Sequence, residues 1–349
     1  MDVSLEYRPD AEKVIQRLTT LYGDRSQDIV CAKMHVPLKT LEKFAQEHEK
    51  GFCDYPDIRK RAQFWDELLA ERAAVEDDSI PSAPLKEMDQ GLYGGLLGGD
   101  VRLMCDPATG HISSMVYPVL NDLSEIDKLE FDPESLWYQR YLEQLGVFSE
   151  YADSKFGVSH LIAIDGLNFV YELIGATETY LAIEDKPELI RKAIDFARKI
   201  NLKIQNTFFE KTPDIASGTC SNYAQWLPGK IVSESIDPFH MTSVDYFEKW
   251  GKGVVEDMYA QFDGGVVHIH GNGRHLLEPV SKLKGLKAVF MGDDTGYPPS
   301  FEILEDCKNT LKDIPIVCQV EFEPFEKALK QHSLPGGVLY NVTDVPDIS

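Results

Sequence analysis

The sequence predicts an α/β protein, a (β/α)₈ TIM barrel with an N-terminal helical extension. From residue 155 onward, short β-branched runs alternate with amphipathic helical segments, which is typical of a parallel sheet. Seven such runs follow residue 155, and the segment 29–34 supplies an eighth, the number of strands in a closed barrel. No dinucleotide or P-loop fingerprint stands at a strand-to-helix turn, which disfavours the rival open, doubly wound sheet.

The first third of the chain is predicted to be largely helical. Apolar residues recur at helical spacing in residues 9–22, and the pattern returns in residues 37–49 and 57–76. We assign residues 1–80 to an extension that packs on the barrel and residues 81–349 to the barrel, within one structural domain.

A glycine-rich segment, residues 79–100, joins the two parts. It contains neither GxGxxG nor GxxxxGK[ST], so a phosphate-binding role is disfavoured. The segment is predicted to form a flexible loop or tight turns.

The elements that follow alternate along the chain. The predicted strands are residues 29–34, 159–164, 213–217, 229–234, 265–270, 286–291, 314–319 and 336–341. The predicted helices are residues 187–210, 243–262, 274–284, 300–312 and 324–332. Pro346, Asp347 and Ser349 suit a helix start. We expect either that a closing helix would follow the last strand there, or that a helix from elsewhere covers it.

Composition excludes two classes of partner. The 349 residues include 35 Lys and Arg against 58 Asp and Glu, a formal net charge of −23. Nucleic acid and anionic membrane surfaces would be repelled at long range, so neither is an expected partner. No apolar run approaches the roughly 18 residues that cross a bilayer, and no signal-peptide pattern is present. Six scattered cysteines without a CxxC pair indicate reduced thiols, and we expect a cytoplasmic protein.

Two histidines at one strand end are the most informative candidates. Barrel enzymes place their chemistry at the carboxyl ends of the strands, and residues i and i+2 of a strand point to the same face. His268 and His270 can therefore converge on one cation, and neutral imidazole is a good zinc ligand. The alternative is a pair of histidines that donate hydrogen bonds in a polar substrate pocket. The following Gly271–Arg274 turn is expected to let the backbone approach a ligand.

Two other strand-end residues could complete a metal site. Glu234 ends the run KIVSE and could be a third ligand or a general base; otherwise it pairs with a cation or a helix start. Cys318 lies in PIVCQV and could be a thiolate ligand, although such a cysteine is usually a small buried apolar residue.

Further polar residues follow the strands. Asp293 could donate or accept a proton in catalysis, although acid pairs such as Asp293–Asp294 are also common helix caps. Asp165 could likewise act at the site or cap a helix. The candidate substrate-binding residues are Asp165, Tyr223, Asn272, Arg274, Asp294 and Asn341.

Several segments resemble the uroporphyrinogen decarboxylase superfamily. They are GLNFVYELIGATETYLAIEDKPELIRKAIDFARKIN (166–201), IVSESIDPFHMTSVDYFEKWGKGV (231–254), DGGVVHIHGNGRHLLEPVSKLKGLKAVFMGDD (263–294) and LPGGVLYN (334–341). The resemblance covers roughly residues 80–349 and implies a (β/α)₈ barrel.

The resemblance implies two possible activities. One is zinc-dependent methyl transfer between a corrinoid protein and a thiol or other acceptor. His268 matches the first zinc ligand of that branch, and His270 replaces its second, a Cys. The third ligand of the branch, a Cys in a Pro-Gly-Cys turn, is absent, because the turn here reads Pro335-Gly336-Gly337. The resemblance implies zinc, cobalamin on a partner corrinoid protein, and a small methyl donor or acceptor, and it is compatible with a homodimer.

The other activity is decarboxylation of uroporphyrinogen or a small carboxylate. Decarboxylases of the superfamily carry N-terminal arginines for the porphyrin carboxylates, whereas the matching strand IVCAKMHVP has none. A metal-free lyase would also need several cations at the barrel mouth, where Arg274 is the only obvious one. The net charge of −23 disfavours a polyanionic substrate. The missing turn Cys allows a third hypothesis, a non-catalytic relative that only binds a small molecule.

Overall fold

The structure is an α/β fold built around a seven-stranded parallel sheet. The computed structural model describes residues 3–24 and 26–346. The strands are β1 (Val30–Met34), β2 (Phe52–Cys53), β3 (Ser82–Pro84), β4 (Val101–Asp106), β5 (His111–Val116), β6 (Gly157–Ser159), β7 (Ile162–Ala163), β8 (Gly218–Ser221), β9 (Gln225–Pro228), β10 (Val232–Ser235), β11 (Gly265–Ile269), β12 (Leu286–Met291), β13 (Ile316–Glu321) and β14 (Val338–Thr343).

Helices cover this sheet and fill the connections between strands. They are α1 (Ala11–Leu21), α2 (Lys39–Glu47), α3 (Ile58–Glu71), α4 (Gln90–Gly95), α5 (Leu136–Ala152), α6 (Gly166–Ile174), α7 (Ala176–Asp185), α8 (Pro187–Lys211), α9 (Val244–Trp250), α10 (Lys252–Tyr259), α11 (Leu277–Val280), α12 (Leu304–Leu311) and α13 (Phe322–Lys330). None of the described helices is long and apolar enough to span a membrane.

The order of strands in the large sheet is β1-β14-β13-β12-β11-β10-β7. Its strands are apolar on both faces, as expected for a parallel sheet that is covered on both sides, and every residue of β11 is buried. One face packs on the helices through Val267, Val289, Ile316 and Val338, and we call it the helix face. The other, called the inner face, carries Val266, Ala288, Val317 and Leu339.

Three smaller sheets accompany it. Strands β3 and β6 pair in parallel, β8 and β9 form an antiparallel hairpin, and β2, β4 and β5 form an antiparallel sheet. The short strand β3 lies in the glycine-rich segment that the sequence predicted to be a loop, and α4 follows it there. That prediction was wrong because the glycines of α4 serve close packing: a Cβ on Gly95 would lie 2.5 Å from the ring of Trp137.

The predicted strand 213–217 is also wrong. Ala216 and Ser217 adopt positive φ angles of 52° and 56°, a backbone region that no extended strand tolerates, and the strand begins only at Gly218. The predicted helix 243–262 is divided at Gly251 into α9 and α10. Helix 187–210 is confirmed as α8.

The last strand is covered by a preceding helix. Tyr340 of β14 lies on the helix face, and its ring centroid is 5.5 Å from that of Phe325 in α13. The predicted helix start at Asp347 and Ser349 lies outside the described residues. The other expectation, that a helix from elsewhere in the chain covers the last strand, is confirmed by the described residues.

Candidate metal centre

Three side chains converge at the carboxyl ends of β10 and β11. Nε2 of His268 lies 3.1 Å from Oδ1 of Asp237, and Nε2 of His270 lies 3.9 Å from the same oxygen. The candidate ligand atoms of the three residues all lie within 4.8 Å of one another. Asp237, His268 and His270 thus form a cluster that can hold a metal ion, and we call it the metal cluster.

The strand register explains why these residues meet. Ser235 of β10 is the direct partner of His268 in β11, so both belong to one row of the sheet. Asp237 follows Ser235 by two residues, in the 3₁₀ turn Asp237–Met241, and His270 follows His268 by two residues. Parallel neighbours with matched register bring these positions to one edge.

The residues present fit a tetrahedral zinc ion. Zinc bonds of 2.0–2.1 Å place neighbouring ligand atoms about 3.3 Å apart in a tetrahedron, compared with 3.1 Å and 3.9 Å from Asp237 Oδ1 to the two imidazoles. His270 is oriented by a second carboxylate, because its Nδ1 lies 3.1 Å from Oδ1 of Asp294. Asp294 is fixed in turn by the N–H of Gly271, which donates to its Oδ2 at 2.6 Å. A carboxylate behind a metal-binding imidazole fixes the tautomer and the direction of the ring.

Electrostatics keep Asp237 ionised. Burial alone would raise its pKa, but the neighbouring imidazoles, His268 foremost and then His240 and His270, hold the pKa below its usual value. His240 lies 3.6 Å from Asp237 through Nδ1, and burial lowers the pKa of His240 to about 4. At neutral pH the cluster therefore presents one carboxylate beside a neutral His240 ring.

His268 is held by an aromatic wall. The ring of Tyr223, from the turn between β8 and β9, stacks on it with centroids 5.2 Å apart and planes 15° apart. His268 is 7% exposed, and its Nδ1 is buried with no hydrogen-bond partner among the described residues. Tyr223, predicted to bind substrate, thus lies directly beside the metal cluster.

The structure does not bring Glu234 or Cys318 into the cluster. Glu234 pairs in register with Val267, and Cys318 pairs with Met291 and Tyr340, all on the helix face. His268 lies on the opposite face, because side chains alternate along a strand. Asp237, three residues after Glu234, is the third residue of the cluster.

Glu234 instead lies beside Asp165, the N-cap of α6. The Asp165 carboxylate accepts a hydrogen bond from the N–H of Gly166, and both acids are almost fully buried. Burial raises the pKa of Asp165 to about 7 and raises that of Glu234 well above its usual value, the nearby Asp165 adding to the effect. The Asp165 side chain thus acts as a helix cap, away from the metal cluster.

Asp293 and Arg274 fasten a loop rather than face the cluster. Asp293 Oδ1 accepts from the N–H of Ser300 at 2.7 Å and lies 3.3 Å from Arg274. Arg274 also donates to the carbonyl of Pro298, and its side chain is 12% exposed. Of the predicted acid pair, only Asp294 acts at the cluster.

The glycines of the following turn make room for side chains of the protein. A Cβ on Gly273 would lie 2.2 Å from Cδ2 of His240, and one on Gly271 would lie 2.7 Å from the Tyr297 ring. The sequence predicted that the backbone of this turn would approach a ligand. In the structure it approaches the rings of His240 and Tyr297. Asn272 lies half-buried in this turn.

Asn341 remains a candidate binding residue. It lies in β14 between its register partners Lys33 and Gln319, is 8% exposed, and its Oδ1 is buried with no hydrogen-bond partner in the part of the chain that the structure describes. A buried amide oxygen left unpaired costs free energy, which a bound molecule could recover.

Sequence reasoning missed Asp237, Lys33 and Lys86. Asp237 stands in a Ser-Ile-Asp-Pro segment three residues after Glu234, where register with β11 was the only signal. Lys33 lies near the end of β1, and Lys86 lies in a 3₁₀ turn just after β3, a strand that was not predicted. Arg274 is therefore not the only cation at a strand end.

No protein-family model matches this chain, and none of the curated proteins compared with it shows significant sequence similarity.

Proposed function

We propose that this protein is a corrinoid-linked methyltransferase-like enzyme in which a zinc ion assists methyl transfer. The observation that carries the proposal is the cluster of Asp237, His268 and His270, with Asp294 oriented behind His270. Two imidazoles and one carboxylate leave a fourth zinc position for a substrate, the arrangement of catalytic rather than structural zinc sites.

We further propose that the sheet closes into a (β/α)₈ barrel. Strand β3 pairs with β6, which leads directly into β7 at one edge of the large sheet. At the other edge, the N–H of Asp78 donates to the carbonyl of Ala32 in β1 at 2.8 Å, four residues before β3 begins. With β3 between these edges, eight parallel strands surround the inner face, and the metal cluster lies at their carboxyl ends.

The residues of the chain have distinct roles in this scheme. Bound zinc would lower the pKa of a coordinated thiol, or polarise an ether or hydroxyl oxygen. Asp294 holds the His270 ring in place, and Tyr223 holds that of His268. The ionised Asp237 offsets the charge of a cation. The methyl group would be carried by a separate cobalamin protein that docks over the mouth, and the six free cysteines fit a reducing cytoplasm.

Metal binding and methyl transfer can be measured on the full chain. We expect one zinc ion per chain after metal stripping and titration against a chromophoric chelator. His268→Ala should abolish this binding. Asp294→Ala should weaken it about 10- to 100-fold, because an orienting carboxylate is lost. Transfer of the methyl group of methylcobalamin to a panel of small thiols, detected as cob(I)alamin and methyl thioether, should require zinc and His268.

Asp293→Ala is the matched control, since Asp293 neighbours Asp294 but binds Arg274 and Ser300. It should lower the thermal midpoint and leave the zinc affinity unchanged. Failure to bind stoichiometric zinc, or equal zinc affinity of the Asp293 and Asp294 variants, would overturn the metal assignment. Zinc binding without any methyl transfer would overturn the methyltransferase assignment alone.

A metal-free lyase is the second candidate, and the cations Lys33 and Lys86 favour it. Such an enzyme needs positive charge for a substrate carboxylate; Lys33 lies near the end of β1, and Lys86 follows β3. It predicts carbon dioxide release from a porphyrinogen or a small carboxylate by zinc-free protein. His268→Ala with chelator present should then retain its metal-independent activity.

A further inference from the structure

We infer that the side of the mouth formed by Lys33, Lys86 and Asn341 binds the carboxylate of a small substrate. The metal cluster and this anion site would hold two ends of one molecule. The inference rests on the proposed function only in placing the reacting group at the metal; the anion site stands on its own contacts.

Strand register places Lys33 and Asn341 at the level of the metal cluster. The row that contains His268 runs through Phe290, Val317 and Leu339 to Cys31. Two residues farther along the strands, the next row on the same face contains Gln319, Asn341 and Lys33. His270 follows His268 by the same two residues. The ammonium of Lys33 and the amide of Asn341 therefore belong to the same inner-face row as His270.

Lys86 approaches the cluster from a different element. Its Nζ lies 5.9 Å from the centroid of the Tyr223 ring, which stacks on His268 at 5.2 Å. Because both distances are measured from the Tyr223 ring, the ammonium group of Lys86 lies no more than about 11 Å from the centre of the His268 ring. A molecule that reaches both the cluster and Lys86 is thus a small one, and the Tyr223 ring forms the apolar wall along its length.

The two half-buried ammonium groups form no close ion pair. Lys33 interacts electrostatically with Asp77 and Lys86 with Asp89, but in the ranges 3–24 and 26–346 neither lysine has an ion pair or a side-chain hydrogen bond. Arg61 and Arg72, by contrast, pair closely with Glu87 and Asp77. Both lysines lie close to His111: burial and then the charges of Lys86 and Lys33 lower the pKa of His111 to about 3. Asn341 contributes a buried amide whose Oδ1 has no partner among the described residues, and a 180° flip of this amide directs its Nδ2–H group, a donor, to the same place.

The charges fit a carboxylate better than a polyanion. Asp89 lies near Lys86, and that lysine opposes the rise that burial causes in the pKa of Asp89. A chain with a net charge of −23 repels a dianion more strongly than a single carboxylate. Two ammonium groups and one amide supply the donors that two carboxylate oxygens accept, and such charge-assisted hydrogen bonds are the strong ones.

The test is calorimetric titration of the full chain with acetate, propionate, benzoate and 4-methoxybenzoate, each against its primary amide. At least one acid should bind more tightly than its amide. Lys86→Gln should weaken that acid about tenfold or more and leave the amide unchanged, since a hydrogen bond to a charged group is lost. Asn341→Asp should abolish acid binding by repulsion. Lys203→Gln, on the exposed surface of α8, is the matched control and should change nothing.

Titrations in zinc-free and zinc-loaded protein separate this inference from the proposed function. Acid binding that survives zinc removal and depends on Lys86 supports the anion site even if no metal binds. If no acid is preferred over its amide, or if Lys86→Gln acts on acid and amide alike, the anion site is wrong. Zinc affinity that is unchanged in Lys86→Gln confirms that the variant is folded.

Discussion

Glu234 shows that the face of the sheet on which a strand residue lies decides which groups its carboxylate can contact. The sequence places Glu234 and His268 at strand ends, and both positions could be predicted. Which face each side chain occupies follows from the register: Glu234 pairs with Val267 on one face, and Ser235 pairs with His268 on the other. The pair His268 and His270 was predictable from spacing alone, whereas Asp237 required the register between two strands.

The buried acid pair predicts a pH-dependent stability. Burial raises the pKa of Asp165 to about 7, whereas an unfolded Asp titrates near 3.9. Between these values the folded chain binds more protons than the unfolded chain, so the free energy of unfolding contributed by Asp165 falls as the pH rises from about 4 to about 7. Asp165→Asn keeps an N-cap of similar quality and removes this penalty. We expect it to raise the free energy of urea unfolding by about 1–2 kcal/mol at pH 8 and by less at pH 5.

Asp57→Asn provides the comparison for this measurement. Asp57 also caps a helix, α3, through the N–H groups of Arg59 and Lys60, but it is exposed. The Asp57 variant therefore shows the effect of the same substitution at a helix cap without burial. An equal effect of Asp165→Asn at pH 5 and pH 8 would show that the acid pair carries no such penalty.

At the scale of elements, the glycine-rich segment departs furthest from the sequence prediction. Gly91, Gly94 and Gly95 lie within helix α4, although glycine disfavours helices and usually signals turns. Their packing explains the difference: a Cβ on Gly94 would lie 2.3 Å from Val116 of β5. Local composition could not reveal this, because contacts with distant residues override helix propensity. Helix α8, by contrast, has a continuous apolar stripe and was predictable.

Two glycine substitutions test this explanation. Gly95→Ala forces a methyl group against Trp137 at 2.5 Å and should lower the free energy of unfolding by about 1–3 kcal/mol. Gly146→Ala, inside α5, meets nothing within 4 Å and should raise it by about 0.5–1 kcal/mol, since alanine is the better helix former. Urea unfolding measures both. A stabilising effect of both variants would mean that α4 is not tightly packed.

For the whole molecule, the β1 edge of the large sheet is covered by a segment that forms no strand. The segment 77–79 covers the edge of β1 with side chains as well as backbone. Oδ2 of Asp78 accepts from the N–H of Ala32 at 3.0 Å, and Oδ2 of Asp77 accepts from the N–H of Met34 at 2.8 Å. Carboxylates thus occupy donors that a neighbouring strand would otherwise bind. The alternation of strands and helices predicted a parallel sheet, but this covering of the β1 edge depends on side chains that no periodic pattern reveals.

Substitution of Asp78 tests whether this segment seals the sheet. Asp78 also forms an ion pair with Arg17, so Asp78→Ala removes a hydrogen bond to the strand and leaves the cation unpaired. We expect a loss of about 2–4 kcal/mol in the free energy of unfolding and faster hydrogen exchange at the amide of Ala32. Asp78→Asn retains an acceptor for that amide, so its exchange should stay slow while part of the stability is lost. Asp100→Ala, which breaks only an exposed pair with Arg102, should cost less than about 1 kcal/mol. If Asp78→Ala cost no more than Asp100→Ala, and if Ala32 stayed protected, the edge of β1 would have to be closed by other contacts.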